Sequence, residues 1–203
     1  MSDPRRLGIL ISGRGSNMLA IGEAIAAGQL DATIAVVVSS RADAPGLERA
    51  TAAGIPTAVV SPKAHGSREA CDRAIVEVLR GHGVELVCLA GYMRLVSPAF
   101  VEAFPNAMLN VHPSLLPSFP GLDAQHQAWV HGVKMSGATV HFVTAELDAG
   151  PIVLQAAVPV LDDDTAESLS ARILVEEHRL YPAAIAKVLA GGWRIDGRRV
   201  VPA

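Results

Sequence analysis

Short apolar runs alternate with helix-forming segments through the first half of the chain, and this alternation limits the fold more than any other feature. The apolar runs predicted as buried strands are residues 7–11, 32–38, 56–60, 84–90 and 108–111. The segments predicted as helices are 16–27, with Ser16 or Asn17 as the cap, then 47–53, 67–81 and 97–104. Strands and helices that alternate in this way form right-handed βαβ units. We therefore predict an α/β fold with an open, mostly parallel twisted sheet and a Rossmann-like N-terminal half.

The pattern changes in the second half of the chain. Two apolar runs, 138–143 and 152–160, flank a turn at residues 148–151 and predict an antiparallel hairpin. A long helix is expected from a cap at Thr165, with Ser168 behind it, to Leu189, and Pro182 should kink or divide it. Residues 193–201 predict a final hairpin. We expect a single domain over 1–203, with halves of about 1–104 and 105–203.

Composition limits the classes of function. Hydrophobic residues make up 50% and aromatic residues only 4%, so the core is expected to be aliphatic. The 17 basic and 20 acidic residues give a net charge of −3, which argues against a nucleic-acid partner. The apolar runs are too short for a bilayer, and the run after residues 1–6 is too short for a signal peptide. We expect a cytoplasmic protein without a membrane partner, in which Cys71 and Cys88 are buried as small hydrophobic residues.

Ligands of open parallel sheets bind beyond the carboxyl ends of the strands, which points to residues 12–17, 91–94 and 110–114. The glycines of the 13–17 loop let the backbone approach an anion, and the following helix start favours a phosphate. A tight turn with an ordinary helix cap is the alternative. Met18 stands where a dinucleotide fingerprint has its third glycine, which weighs against an NAD-type dehydrogenase.

The most informative polar pair is Asn110 and His112. They lie two positions apart in a predicted strand, so their side chains share a face. An amide beside an imidazole can stabilise a developing oxyanion, although such a pair can also be a satisfied contact at a strand end. Asp148 fits ordinary turn chemistry, and a functional role requires it to approach His112 and favour the protonated imidazole.

Other polar residues carry weaker signals. Arg68 and Arg94 are candidate anchors for a carboxylate or phosphate. Residues 176–178 are interpreted as an exposed face of the long helix. The remaining histidines, His141 among them, lack the spacing of metal ligands, so no metal site is expected.

Together these segments resemble the phosphoribosylglycinamide formyltransferase family over nearly the whole chain. The most specific motifs are Leu89-Ala90-Gly91-Tyr92-Met93-Arg94-Leu95, Asn110-Val111-His112-Pro113-Ser114-Leu115-Leu116-Pro117 and Leu147-Asp148-Ala149-Gly150-Pro151. The resemblance implies the formyltransferase fold, with a nucleotide-binding N-terminal half and a catalytic, folate-binding C-terminal half. It further implies transfer of a formyl group from 10-formyltetrahydrofolate to the amine of 5-phosphoribosylglycinamide in purine biosynthesis, without a metal. A homodimer is left open.

The resemblance also implies roles for individual residues. Catalysis would fall to Asn110, His112 and Asp148. The residues expected to bind glycinamide ribonucleotide are Gly15, Ser16, Asn17 and Glu177. The residues expected to bind the folate are Arg68, Met93, Arg94, Leu95, Val96, Asn110, Thr144 and Glu146.

One segment departs from the family pattern. Similar enzymes carry a histidine a few residues after Pro120-Gly121-Leu122, whereas His126 here comes one position late in a predicted 120–131 loop. Two other functions remain open at this point. One is an enzyme of the same fold that hydrolyses formyl-tetrahydrofolate or formylates another sugar nucleotide. The other is a nucleotide or folate binder without catalytic activity.

Overall fold

A computed structural model describes residues 4–203 and divides the chain into two compact units, Met1–Leu109 and Asn110–Ala203. Residues 1–3, which belong to the segment interpreted above as unlike a signal peptide, lie outside the described residues. No helix within residues 4–203 is long and apolar enough to cross a membrane.

The first unit contains four parallel strands with helices between them. The strands are β1 (Arg5–Ile11), β2 (Ala32–Ser39), β3 (Thr57–Val59) and β4 (Leu86–Leu89). The helices are α1 (Ser16–Ala26), α2 (Pro45–Ala52), α3 (Arg68–Gly81) and α4 (Pro98–Ala103), with a short 3₁₀ turn at Pro62–Ala64. The strand order is β3-β2-β1-β4. The predicted βαβ alternation is therefore confirmed.

Strand β1 lies at the centre of the core of this unit. Leu7, Ile9, Leu10 and Ile11 are completely buried, and β2 and β4 pair with β1 on its two sides. Burial on both faces explains why β1 is a continuous apolar run and not an alternating one. The strand ends at Ile11, and Ser12 leads directly into the glycine loop, so the packed core fixes where that loop begins.

The second unit contains the predicted hairpins and the long helix. Its elements are α5 (Ala124–His131), β6 (Met135–Phe142), β7 (Ile152–Pro159), α6 (Ala166–Ala190), β8 (Trp193–Asp196) and β9 (Arg199–Pro202). Strand β5 (Met108–His112) spans the division, with Asn110–His112 in this unit. The pairs β6–β7 and β8–β9 are antiparallel, which confirms both hairpins and the α/β fold class.

Helix α6 begins with the predicted capping box, since Thr165 and Ser168 each accept the other's backbone N–H. Pro182 lies inside the helix, which runs unbroken from Ala166 to Ala190, so the proline does not divide it. Tyr181, Ala184 and Ile185 around it are completely buried. Their packing offsets the hydrogen bond that a proline cannot make.

Helix α5 lies where we expected the 120–131 loop to continue, and it places His126 on a helix. Asp123 adopts a left-handed conformation at the helix start and makes no side-chain cap. Only the small residues Ala124 and Ala128 of this helix are buried. Two alanines four residues apart make a weak apolar stripe, which explains why the pattern did not predict the helix.

Candidate active site

Strand β5 carries Asn110 and His112 at its carboxyl end. His112 is only 4% exposed, and its Nε2 donates to the Phe119 carbonyl oxygen at 2.8 Å. Its other nitrogen, Nδ1, lies 3.4 Å from Asp148 Oδ2. Both nitrogens of this imidazole therefore face oxygen acceptors.

Asp148 lies in the loop between β6 and β7, and its side chain is 9% exposed. Its Oδ2 accepts the Gly121 backbone N–H at 2.8 Å. The backbone of Asp148 is left-handed, with φ at 48°, which is a conformation that aspartate tolerates in turns. The expectation that this carboxylate approaches His112 is confirmed.

His141, near the end of β6, completes the cluster although the sequence interpretation considered it only for metal spacing. Its Nε2 lies 3.2 Å from Asn110 Nδ2 and 3.7 Å from Asp148 Oδ1, while its Nδ1 lies 2.9 Å from the Phe142 carbonyl oxygen. Burial lowers the pKa of His141, and this exceeds the opposing effects of the Phe142 carbonyl and the Asp148 carboxylate. One feature of the sequence could have pointed to His141: it lies inside an apolar strand, where water cannot solvate its ring.

This cluster thus combines an amide, two imidazoles and one carboxylate within the second unit. An amide N–H and an imidazolium N–H are donors that stabilise negative charge developing on an oxygen. The Asp148 carboxylate places a negative charge 3.4 Å from the His112 ring nitrogen Nδ1. Within residues 4–203, no group of three or more His, Cys, Asp or Glu residues is arranged to hold a metal ion.

Gly150 holds the Asp148 loop close to β6. A Cβ atom added to Gly150 would lie 1.8 Å from the Phe142 carbonyl oxygen, the same oxygen that contacts His141. Backbone atoms cannot rotate away, so we expect Gly150→Ala to destabilise the fold by about 3 kcal/mol. Thermal unfolding should show this as a drop in Tm of about 6–12 °C.

Gly81→Ala is the matched control for this prediction. Gly81 ends α3, and a Cβ there meets no heavy atom within 4 Å in the described part of the chain. Alanine is also the better helix former, so Gly81→Ala should leave Tm unchanged or raise it slightly. An equal Tm for both variants would contradict the close approach at Gly150.

The glycine loop of the first unit leads directly into α1. Gly15, with φ at 70°, is the residue before the helix, and Ser16 and Asn17 are its first two helical residues. The expectation that Ser16 or Asn17 caps the helix was therefore wrong, because glycine adopts the left-handed turn most easily. The first turn of a helix directs backbone N–H groups and a partial positive charge outward, as a phosphate site requires.

The 91–97 segment follows β4 and is held to the end of β1. Ser12 N–H donates to the Gly91 carbonyl oxygen at 3.1 Å, and Ser12 Oγ accepts the Met93 N–H at 3.0 Å. Met93 and Leu95 are 66% and 55% exposed, whereas Val96 is buried. The segment therefore presents two apolar side chains on a backbone that is fixed at its start.

The other residues predicted to bind the folate are Arg68 and Arg94 in the first unit and Thr144 and Glu146 in the second. Arg68 is the first residue of α3 and contacts Glu69 at 3.4 Å, and Arg94 is exposed. Thr144 Oγ1 donates to the Glu146 carbonyl oxygen at 3.3 Å in the β6–β7 loop.

Glu177 is 7% exposed, so placing it on an exposed face of α6 was wrong. It follows the completely buried Leu169 and Ile173 at four-residue intervals, which puts all three on one helix face.

Known proteins match the chain over most of its length. The model of the formyl transferase family matches residues 5–185. Phosphoribosylglycinamide formyltransferase of Escherichia coli (strain K12) is 45% identical over 190 residues, which is 94% of this chain and 87% of that protein. This chain belongs to the formyl transferase family. The family resemblance drawn from its motifs is thereby confirmed.

Two further relatives of this formyl transferase define the extent of the match. The crystal structure of glycinamide ribonucleotide transformylase 1 from Symbiobacterium toebii has a TM-score of 0.97 and 56% identity, covering 100% of this chain and 95% of that one. The trifunctional purine biosynthetic protein adenosine-3 of Bos taurus is 46% identical over 94% of this chain, which spans 19% of that protein.

Proposed function

We propose that this chain transfers a formyl group from 10-formyltetrahydrofolate to the amine of 5-phosphoribosylglycinamide, as a step of purine biosynthesis. The observation that carries this proposal is the contact between His112 and Asp148, with Asn110 on the same strand as His112. The relatives that match nearly the whole chain are named after the acceptor, phosphoribosylglycinamide, and the folate donor is inferred from the family resemblance of the motifs.

The reaction exchanges one carbon–nitrogen bond for another. The substrate amine attacks the formyl carbon, a new C–N bond forms, and the bond from that carbon to N10 of the folate breaks. One proton leaves the amine and one is gained by N10, so no oxidant or metal is required. Because α-amino groups have a pKa near 8, a useful fraction of the amine is already neutral at physiological pH.

The residues of β5 act on the formyl oxygen, which becomes negative as the amine adds. We assign oxyanion stabilisation to the Asn110 amide N–H and the His112 imidazolium N–H. In the structure His112 Nε2 donates to the Phe119 carbonyl oxygen, and in this proposal the formyl oxygen takes the place of that acceptor. We assign to Asp148, whose Oδ2 lies 3.4 Å from His112 Nδ1, the orientation of the His112 ring.

The remaining residues bind substrates in this proposal. Gly15, Ser16 and Asn17 at the start of α1 hold the phosphate of the ribonucleotide, and Glu177 of α6 also contacts the ribonucleotide. The exposed apolar side chains of Met93 and Leu95 suit a flat aromatic ring system. The full set assigned to the folate is Arg68, Met93, Arg94, Leu95, Val96, Asn110, Thr144 and Glu146.

A two-part assay tests the proposed function. The purified protein is incubated with 10-formyltetrahydrofolate, with and without 5-phosphoribosylglycinamide, and formylated product and free formate are both measured. Formylated product that depends on the amine supports the proposal. Formate released without the amine would show a hydrolase instead. Ligand binding in calorimetry without either product would show a binder without catalytic activity.

Removing the side chains at the start of α1 should affect binding of one substrate and not of the other. We expect Ser16→Ala combined with Asn17→Ala to raise the KM for the ribonucleotide at least about tenfold, because charge-assisted hydrogen bonds to phosphate are lost. The KM for the folate should change by less than about twofold, since the substitutions leave its binding groups in place. Steady-state kinetics with each substrate varied in turn measures both values. Equal increases in the two KM values would mean that the phosphate binds elsewhere.

A further inference from the structure

We propose that His141 is a positioning residue that stays neutral, carries its proton on Nδ1, and fixes which way the Asn110 amide points. This inference deepens the proposed function and rests on it, because it explains how the assigned oxyanion donor is held. His141 lies beside both Asn110 and Asp148.

The proton position follows from the partners of the two ring nitrogens. A carbonyl oxygen can only accept, so the 2.9 Å contact of Nδ1 with the Phe142 oxygen requires a proton on Nδ1. In a neutral imidazole the second nitrogen then carries a lone pair and must accept. The group 3.2 Å from Nε2 is the Asn110 Nδ2, which can only donate. The two contacts therefore agree on one tautomer.

This tautomer determines the orientation of Asn110. With an acceptor at Nε2, the amide of Asn110 turns its NH₂ group towards His141. One N–H of that group is used by His141, and the second remains as the donor that the proposed oxyanion needs. An amide turned by 180° would place its oxygen against the Nε2 lone pair and would offer no N–H on that side.

The charges around His141 support its neutral form. The titratable groups facing it are Asp148 from the β6–β7 loop and His112 from β5. Asp148 Oδ1 is 3.7 Å from His141 Nε2, whereas its Oδ2 is nearer to His112 Nδ1, at 3.4 Å. His141 is 2% exposed, and burial lowers its pKa. The Asp148 carboxylate therefore lies closer to the ring of His112 than to the ring of His141.

Nitrogen NMR of the unmodified protein tests the tautomer directly. In ¹⁵N-labelled protein at pH 7.5, long-range ¹H–¹⁵N spectra should show His141 with Nδ1 protonated and Nε2 unprotonated. The His141 signals are assigned by their loss in His141→Gln. A proton on Nε2, or on both nitrogens, would overturn the proposal. This readout does not depend on activity, so it stays decisive if the proposed function fails.

Kinetic variants test the positioning role. His141→Phe keeps a ring but removes the acceptor, so we expect kcat to fall about tenfold or more with KM values nearly unchanged, because a lost orienting hydrogen bond is about that large. His141→Gln offers a side-chain oxygen that can accept from Asn110 and should restore much of kcat. Equal kcat values for His141→Phe and the unmodified enzyme would overturn the role. His82→Phe, which removes a histidine at the end of α3, is the control and should be neutral.

The pH dependence of stability gives a third measurement. Because the pKa of His141 is lower in the folded chain than its ordinary value near 6.5, the unfolded chain takes up this proton first as the pH falls. The His141 contribution is thus present above pH 6.5 and is lost below it. The decrease in unfolding free energy from pH 7 to pH 5 should be smaller in His141→Gln. An unchanged decrease would count against a neutral His141.

Discussion

Replacing His112 with alanine is expected to lower kcat by about 10²–10³-fold, which is the usual loss when one oxyanion donor is removed. The substitution also removes the ring whose Nδ1 lies 3.4 Å from Asp148 Oδ2. Binding of both substrates should stay within a few fold, because the proposed binding residues are other side chains. Single-turnover kinetics and calorimetry with each substrate measure the two effects separately.

His82→Ala is a suitable comparison for this variant. His82 also contacts a backbone carbonyl oxygen, that of Val78, but it lies after α3 in the first unit. We expect its kcat to match that of the unmodified enzyme. An unchanged kcat in His112→Ala would remove His112 from the mechanism, whatever its contacts in the structure.

Substituting Asp148 by asparagine should lower kcat by about 10²-fold, which is the lower end of the loss found when one electrostatic contribution at an oxyanion is removed. The amide oxygen of asparagine can still accept the Gly121 N–H, so the loop should keep its conformation and Tm should change little. What the variant loses is the negative charge beside His112 Nδ1. Kinetics together with thermal unfolding separates this loss of charge from a loss of structure.

Asp162→Asn provides the matched control for the change of charge. Asp162 lies outside the candidate site, and its almost fully exposed side chain pairs with Lys134 on the surface. Exposed ion pairs contribute little to stability, so neither kcat nor Tm should change measurably. If Asp148→Asn behaved in the same way, the carboxylate of Asp148 would have no role in catalysis.

The sequence predicted the parts of this molecule that depend on local spacing. Asn110 and His112 share a strand because they lie two positions apart, and the Thr165–Ser168 cap depends on a spacing of three. The strand and helix alternation of the first unit is local in the same sense. Periodicity of apolar residues along a short segment was therefore sufficient to predict these elements.

Contacts between distant segments needed the structure. Asp148 approaches His112 through the path of the β6–β7 loop, and His141 joins them because β6 ends beside Asn110. Neither contact leaves a periodic trace in the sequence. The burial of Glu177 did leave one, in its spacing from Leu169 and Ile173, but the adjacent Glu176 and His178 favoured an exposed interpretation.

The spacing of two positions between Asn110 and His112 limits which mutations strand β5 can accept during evolution. Strand β5 is largely buried, and successive side chains alternate between its two faces. Loss or gain of one residue at position 111 would send the amide and the imidazole to opposite faces. One polar group would then enter apolar packing without a partner, at a cost of several kcal/mol. Descendants of this chain can therefore vary β5 by substitution, whereas insertions and deletions are restricted to the loops beyond its ends.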